Sequence, residues 1–210
     1  MTPGIRTALR RRRPWPAAAA VPLALAAPSV ASAHDQSLDL TASFGAGFMH
    51  PVTGPDHLVA MVAVGLLSGV LGGRAVLTVP ALFVSYLLFG GIAGFLGFEL
   101  LGVEWVILAS LLGLGVVLAR GARPDRRIVV TAVALFGFAH GNAHGLELPL
   151  AASPGGYAAG FVLASATCHL AGVLLAHVAT RPRFALAPVR ALGMVTLGTA
   201  VVLGSAALTG

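Results

Sequence analysis

Six long apolar windows constrain the fold of this chain more than any other feature of its sequence. They cover residues 44–71, 76–96, 105–119, 128–144, 157–178 and 189–208. Apolar stretches of about 17 to 25 residues are long enough to cross the hydrocarbon core of a bilayer as helices. With 57% hydrophobic and only 10% charged residues, the chain cannot form a soluble domain of 210 residues. We predict an all-α polytopic membrane bundle of six spans, with the first span broken.

The first 33 residues have a different character. Five of the 13 basic residues, all of them arginine, lie between residues 6 and 13 and precede a short apolar run that ends in Ala31-Ser32-Ala33. This order of a basic segment, an apolar segment and small residues is typical of a cleaved secretory signal peptide. We expect a mature chain of residues 34–210 that forms a single transmembrane domain. An uncleaved first helix is the alternative.

The high isoelectric point of about 11.3 results largely from this leader. Without residues 1–33, eight arginines face seven carboxylates, which leaves a net charge of about +1. A basic excess often indicates nucleic-acid binding, but here it is confined to a targeting signal. We therefore expect the lipid bilayer, and no nucleic acid, as a partner.

The remaining arginines test the topology, because cytoplasmic loops of membrane proteins are enriched in basic residues. They fall in or beside alternate loops only, at Arg74, Arg120, Arg123, Arg126, Arg127, Arg181, Arg183 and Arg190. The opposite loops carry Glu99, Glu104 and Glu147. We predict a bacterial inner-membrane protein with both termini in the periplasm.

The first span contains ionisable residues where they are energetically costly. His50, Asp56 and His57 lie between apolar runs, and such residues at membrane depth usually mark an ion path or a substrate site. Gly54 and Pro55 interrupt regular helix at this point, so a new helix should begin near Asp56. Transporters build ion sites at such breaks. The Asp56 carboxylate is placed to offset the positive end of the new helix.

A second ionisable group ends the fourth span. His140, His144 and Glu147 follow an i, i+4, i+7 spacing, which puts them on one face of a helix. At 1.5 Å per residue, His57 lies about 20 Å from the cytoplasmic boundary, His140 about 18 Å and His144 about 24 Å. The two groups therefore share a depth, and we predict one shared site. The alternative for each group is a hydrogen-bonded polar patch without a metal.

Imidazole and carboxylate groups together suit divalent Ni, Co, Zn, Cu or Fe ions. Two further histidines are candidates for the same ion. His34 would begin the mature chain, where a free α-amine beside an imidazole is able to chelate a metal. His169, alone in the fifth span, is either a ligand from a third helix or a packing residue.

The two motifs, taken in order, resemble those of a known family. They read His50-x5-Asp56-His57-Leu58-x2-Met61 and Phe138-x-His140-Gly141-x-Ala143-His144-Gly145-x-Glu147. This combination resembles the HupE/UreJ family of nickel/cobalt permeases.

The resemblance implies a secondary permease, not an enzyme, that carries Ni²⁺ or Co²⁺ as its substrate for a metalloenzyme such as hydrogenase or urease. It implies no permanently bound cofactor. It also makes the ionisable residues of both motifs the site residues. The chain departs from the family at Asn142, where many relatives carry a third histidine; because Asn142 points off the His140/His144 face, we expect this difference to tune affinity or selectivity.

Two other functions remain open from the sequence. Histidines on facing helices are able to ligate haem or a carboxylate-bridged di-iron centre in a membrane redox protein. A non-transporting metallochaperone or accessory subunit of a larger assembly would carry the same ligands.

Overall fold

The structure, a computed structural model, describes residues 40–148, 153–184 and 186–209. The predicted signal peptide and His34 lie outside these ranges. Within them the chain forms helices and no strands. The elements are α1 (Leu40–Thr53), α2 (Pro55–Leu71), α3 (Ala75–Phe95), α4 (Val103–Arg120), α5 (Arg126–Leu146), α6 (Pro154–Ala179), a 3₁₀ turn (Pro182–Phe184) and α7 (Ala187–Thr209).

The helices confirm the predicted all-α membrane architecture. Helices α3 to α7 are each long and apolar enough to cross a bilayer, and α1 with α2 meets the same requirement as a pair that bends by 80°. The predicted windows differ from the observed helix ends by at most four residues. The sequence locates these ends well because a helix needs a fixed number of apolar residues to cross the membrane.

The bend between α1 and α2 has a local cause. Gly54 is extended, with φ −86° and ψ 111°, and Pro55 occupies the first turn of α2. Proline lacks the amide hydrogen that a continuous helix requires, so the helix restarts here instead of continuing. The Gly54 amide donates to the His50 carbonyl, at 3.3 Å, and this bond closes the turn. We call residues 50–57 the elbow.

Glycines allow α3 and α5 to run side by side in close contact. Gly90 lies against the main chain of Phe138, and Gly141 lies against the main chain of Leu87. A methyl group at either glycine would overlap the facing carbonyl oxygen. This close approach through small residues is characteristic of membrane helices. It fixes the end of α5, where His140 and His144 lie.

Helix α6 runs along both halves of the broken span. Gly160 lies against the main chain of Phe44 in α1, and Gly65 of α2 lies against the main chain of His169. Helix α4 packs antiparallel to α7, and Gly115 of α4 lies beside Leu197 of α7. The elbow is therefore held between α6 on one side and the end of α5 on the other.

Apolar side chains cover much of the outer surface of the bundle. Exposed examples from three helices are Leu77 and Phe89 in α3, Leu174 in α6 and Val202 in α7. Such extensive apolar exposure is unfavourable in water and is expected of helices that face lipid. The protein is therefore a multi-pass membrane protein.

Candidate metal centre

The elbow and the end of α5 bring four histidine rings together. The ring centroids of His57 and His144 lie 4.1 Å apart, and those of His57 and His140 lie 5.1 Å apart. His50 approaches His144 from α1, with 4.5 Å between centroids. Residues far apart in the sequence thus meet at one level of the bundle, in agreement with the depth argument made from the sequence.

Two of these rings are oriented by a hydrogen bond from Nδ1. In His140, which is fully buried, Nδ1 lies 2.8 Å from the carbonyl oxygen of Phe136. In His57, Nδ1 lies 2.9 Å from Oδ1 of Asp56. Because a carbonyl or carboxylate oxygen only accepts, Nδ1 carries the hydrogen in both rings. The lone pair of each neutral ring is then on Nε2, the tautomer that metal-ligating histidines commonly adopt.

The remaining ring nitrogens of His57, His140 and His144 are buried and unpaired among the described residues. Within the part of the chain that the structure describes, no hydrogen-bond partner reaches Nε2 of His57, Nε2 of His140 or either ring nitrogen of His144. Buried polar atoms are nearly always paired, and an unpaired one costs about 1–3 kcal/mol. A neutral imidazole has one lone pair, so these four atoms offer three lone pairs, one from each ring, within one cluster.

Glu147, the residue that follows α5, also belongs to the cluster. Ligand atoms of His50, His144 and Glu147 all lie within 4.8 Å of one another. Glu147 is exposed, His50 is half-buried and His144 is buried. We call these three residues the outer trio, and we call His57, His140 and His144 the inner trio. His144 belongs to both.

Asp56 links the inner trio to a cavity at the acidic end of the bundle. This cavity of about 180 Å³ is lined by Asp56, Glu104 and Trp105, with apolar residues of α4 and α7. Asp56 also lies in the first turn of α2, where its negative charge offsets the positive end of the helix dipole. From the sequence alone, Glu104 is recognisable only as a charge in a loop. Its position at the start of α4, at the same end of the bundle as Asp56, is the sequence signal that places Glu104 near the site.

Aromatic side chains surround the trios. The ring of Tyr157 lies 5.9 Å from His50, that of Phe161 lies 4.6 Å from His144, and that of Phe83 lies 5.7 Å from His140. These rings are buried, and Tyr157 and Phe161 line a cavity of about 140 Å³ that also reaches His144. The sequence does not identify these aromatic residues, because a phenylalanine that lines a site and one that faces lipid give the same apolar pattern.

His169 lies apart from both trios. Its buried ring contacts Phe83, with 5.1 Å between centroids, and Phe83 in turn contacts His140. The sequence leaves His169 as either a third-helix ligand or a packing residue, and the structure places its ring beside Phe83. His177, on the same helix, is exposed.

Asn142 points away from the histidine face, as its position in the helix predicts. Its side chain is fully buried; its Oδ1 accepts from the amide of Leu100 at 2.9 Å, and its Nδ2 donates to the carbonyl of Phe98 at 2.7 Å. Asn142 thus fixes the loop between α3 and α4 to the end of α5. Its predicted influence on affinity or selectivity stays a prediction.

Comparison with known proteins adds the family. The sequence model of the family described as "HupE / UreJ protein" matches residues 22–203. The chain belongs to the HupE/UreJ family. One HupE/UreJ relative, "Protein HupE" of Rhizobium leguminosarum bv. viciae, is 42% identical over 158 residues, which is 74% of this chain and 80% of the relative. No solved structure matches the chain significantly. The range matched to HupE/UreJ proteins includes every residue of both trios.

Proposed function

We propose that this protein is a secondary permease that carries a divalent transition-metal ion, Ni²⁺ or Co²⁺, through the outer and inner trios. The observation that carries this proposal is the group of four buried imidazole nitrogens without a partner among the described residues. A divalent cation is the ligand that accepts several neutral imidazole lone pairs at once. A hydrogen-bonded polar patch would instead have paired these atoms with one another or with the main chain.

The arrangement of the ligands suits transport. They come from a broken helix and from the end of a neighbouring helix, which is how many transporters build an ion site inside the bilayer. The ligands replace part of the hydration shell of the ion, and His144, shared by the trios, allows a stepwise transfer from Glu147 toward His140. The ion enters at the end that bears Glu104 and Glu147 and leaves toward the loops that bear arginine.

The ligand types do not select nickel or cobalt, since a site of nitrogen and oxygen ligands prefers Cu²⁺ to Ni²⁺ and Ni²⁺ to Co²⁺. The choice of Ni²⁺ or Co²⁺ rests on the resemblance of both motifs to those of nickel/cobalt permeases. The client on this reading is a metalloenzyme such as hydrogenase or urease. The 210 residues hold no Gly-x4-Gly-Lys-Ser/Thr run, so the driving force proposed is an ion gradient, the membrane potential or trapping of the metal in the cytoplasm.

Uptake of radioactive nickel and cobalt by cells tests the proposal. Cells that express the wild type should accumulate metal above cells with an empty vector. His57→Ala and His140→Ala, at equal membrane abundance, should lower the rate about tenfold or more, because each removes a proposed ligand. The matched control is His177→Ala, which removes an exposed histidine of α6 and should leave the rate unchanged. If both site variants take up metal at the wild-type rate, the proposed site is wrong.

The geometry disfavours the haem alternative. Two axial histidines bind on opposite faces of a porphyrin, whereas the rings of His57 and His144 lie only 4.1 Å apart and leave no room for one. A di-iron centre draws on several bridging carboxylates, and among the described residues only Asp56 and Glu147 lie beside the histidines. A Soret band in the purified protein would favour haem over transport. An accessory role would be favoured if the wild type shows no uptake above empty cells.

A further inference from the structure

His169 is buried in the centre of α6, and one of its ring nitrogens is unpaired. The residue is 1% exposed, and its Nδ1 donates to the carbonyl oxygen of Ser165 at 2.6 Å. No residue in the described part of the chain offers a hydrogen bond to its Nε2. A residue selected for packing alone has no need of this atom, because an apolar side chain of similar size fills the same volume without an unpaired polar group.

The environment of His169 repeats that of His140. In both residues Nδ1 donates to the carbonyl four positions earlier, and in both Nε2 is left free. Both rings contact Phe83, His140 at 5.7 Å with a tilt of 58° and His169 at 5.1 Å with a tilt of 59°. Phe83 therefore contacts two buried imidazoles that are held in the same way.

The helix register places His169 further along the path. Phe161, which contacts His144, precedes His169 by eight residues of α6, or about 12 Å along the helix axis. On α2, Gly65 lies against the main chain of His169 and follows His57 by eight residues. Both helices run from the acidic end toward the arginine-bearing end. His169 thus lies beyond the inner trio in the direction in which an imported ion would move.

We propose that Nε2 of His169 binds the metal ion at a second position on its path, beyond the inner trio and beside the Phe83 ring. This inference rests on the proposed function and deepens it. A single imidazole holds a divalent ion more weakly than three, so this position receives the ion from the trio and passes it on without trapping it. Movement of the Phe83 side chain connects the two positions.

The test separates transport from binding. In His169→Asn, the side-chain amide lies near the former position of Nδ1 and is able to donate to the carbonyl oxygen of Ser165. The substitution leaves no atom at the former position of Nε2. The matched control is His177→Asn on the same helix. Two quantities are measured for each variant and for the wild type: uptake of radioactive nickel by cells at equal membrane abundance, and equilibrium binding of Ni²⁺ to the purified full-length chain in detergent.

The proposal predicts that His169→Asn binds Ni²⁺ at the trios with wild-type affinity while its uptake falls about tenfold or more. Uptake at the wild-type rate would overturn the proposal and leave His169 a packing residue. A joint loss of uptake and trio binding would also overturn it, since His169 would then support the trios themselves. If the Asn variant does not accumulate in the membrane, the same measurements on His169→Leu decide by the same criteria.

The outcome also distinguishes this inference from the proposed function. Uptake by the wild type together with wild-type uptake by His169→Asn overturns only the His169 position. No uptake by the wild type above empty cells overturns both the permease and the second position.

Discussion

At the scale of single residues, the site depends on groups that orient each imidazole. His140 is oriented by a main-chain carbonyl, which no substitution at Phe136 removes. His57 is oriented by the Asp56 side chain, so its orientation is open to mutation. Carboxylates that hold a ligand histidine raise its basicity and fix its tautomer. Asp56 is therefore a positioning residue in this account, with a charge that also offsets the dipole of α2.

Asp56→Asn should lower nickel uptake about tenfold, because the loss of a carboxylate that orients a ligand histidine typically lowers metal affinity or activity by about 10- to 100-fold. The amide oxygen still accepts from His57 Nδ1, but the negative charge beside the cation is lost. The measurement is initial uptake at several nickel concentrations, and we expect the loss mainly as weaker apparent affinity.

The control for this substitution is Asp125→Asn. Asp125 caps α5 by accepting from the amide of Arg127 at 2.8 Å, and asparagine caps helices equally well. It should transport at the wild-type rate. Equal rates for Asp56→Asn and Asp125→Asn would remove Asp56 from the mechanism.

At the scale of helices, the elbow sets the relative position of His50 and His57. Its geometry leaves little space above Gly54, because a Cβ atom there would lie 3.1 Å from Nδ1 of His57 and 3.2 Å from Oδ1 of Asp56. The backbone angles of Gly54 themselves suit alanine. A substitution here therefore acts on the hydrogen-bonded side chains of Asp56 and His57 and not on the fold of the elbow.

Gly54→Ala should lower nickel uptake to a rate between those of the wild type and Asp56→Asn, with membrane abundance unchanged. The comparison is Gly45→Ala in α1, where nothing lies within 4 Å of the added methyl group. The latter should transport normally and favour the helix by about 1 kcal/mol. Identical uptake by the two variants would show that the elbow tolerates displacement of its side chains.

The seam between α3 and α5 supplies a second prediction at this scale. In Gly141→Ala the new methyl group meets main-chain atoms of Leu87 and Gly91, which cannot move without separating the helices. We expect a loss of about 1–3 kcal/mol of stability, typical of overpacking, visible as a lower unfolding temperature in detergent. Gly113→Ala in α4 meets nothing within 4 Å and favours the helix by about 1 kcal/mol, so it should unfold at or slightly above the wild-type temperature. Equal unfolding temperatures would contradict the close packing of the seam.

At the scale of the whole molecule, the helices were predictable from the sequence and much of the site's lining was not. The windows located every span because bilayer thickness fixes helix length, and the common depth of His57 and His144 followed from counting residues from the helix ends. The positions of Phe83, Phe161 and Glu104 depend on which helices are neighbours. Which helices are neighbours is decided by long-range contacts between glycines and the facing helices. No local sequence pattern encodes these contacts. The separation of His169 from the trios has the same origin.

The central claim is that imidazoles from both motifs bind one divalent ion, and X-ray absorption spectroscopy of the nickel-loaded chain tests it most directly. The purified full-length protein would be loaded with one equivalent of Ni²⁺, alongside His57→Ala and His144→Ala. We predict nitrogen and oxygen ligands with multiple-scattering features of more than one imidazole, and a weaker imidazole signal in each variant. A wild-type spectrum without imidazole scattering, or one unchanged in both variants, would contradict the account.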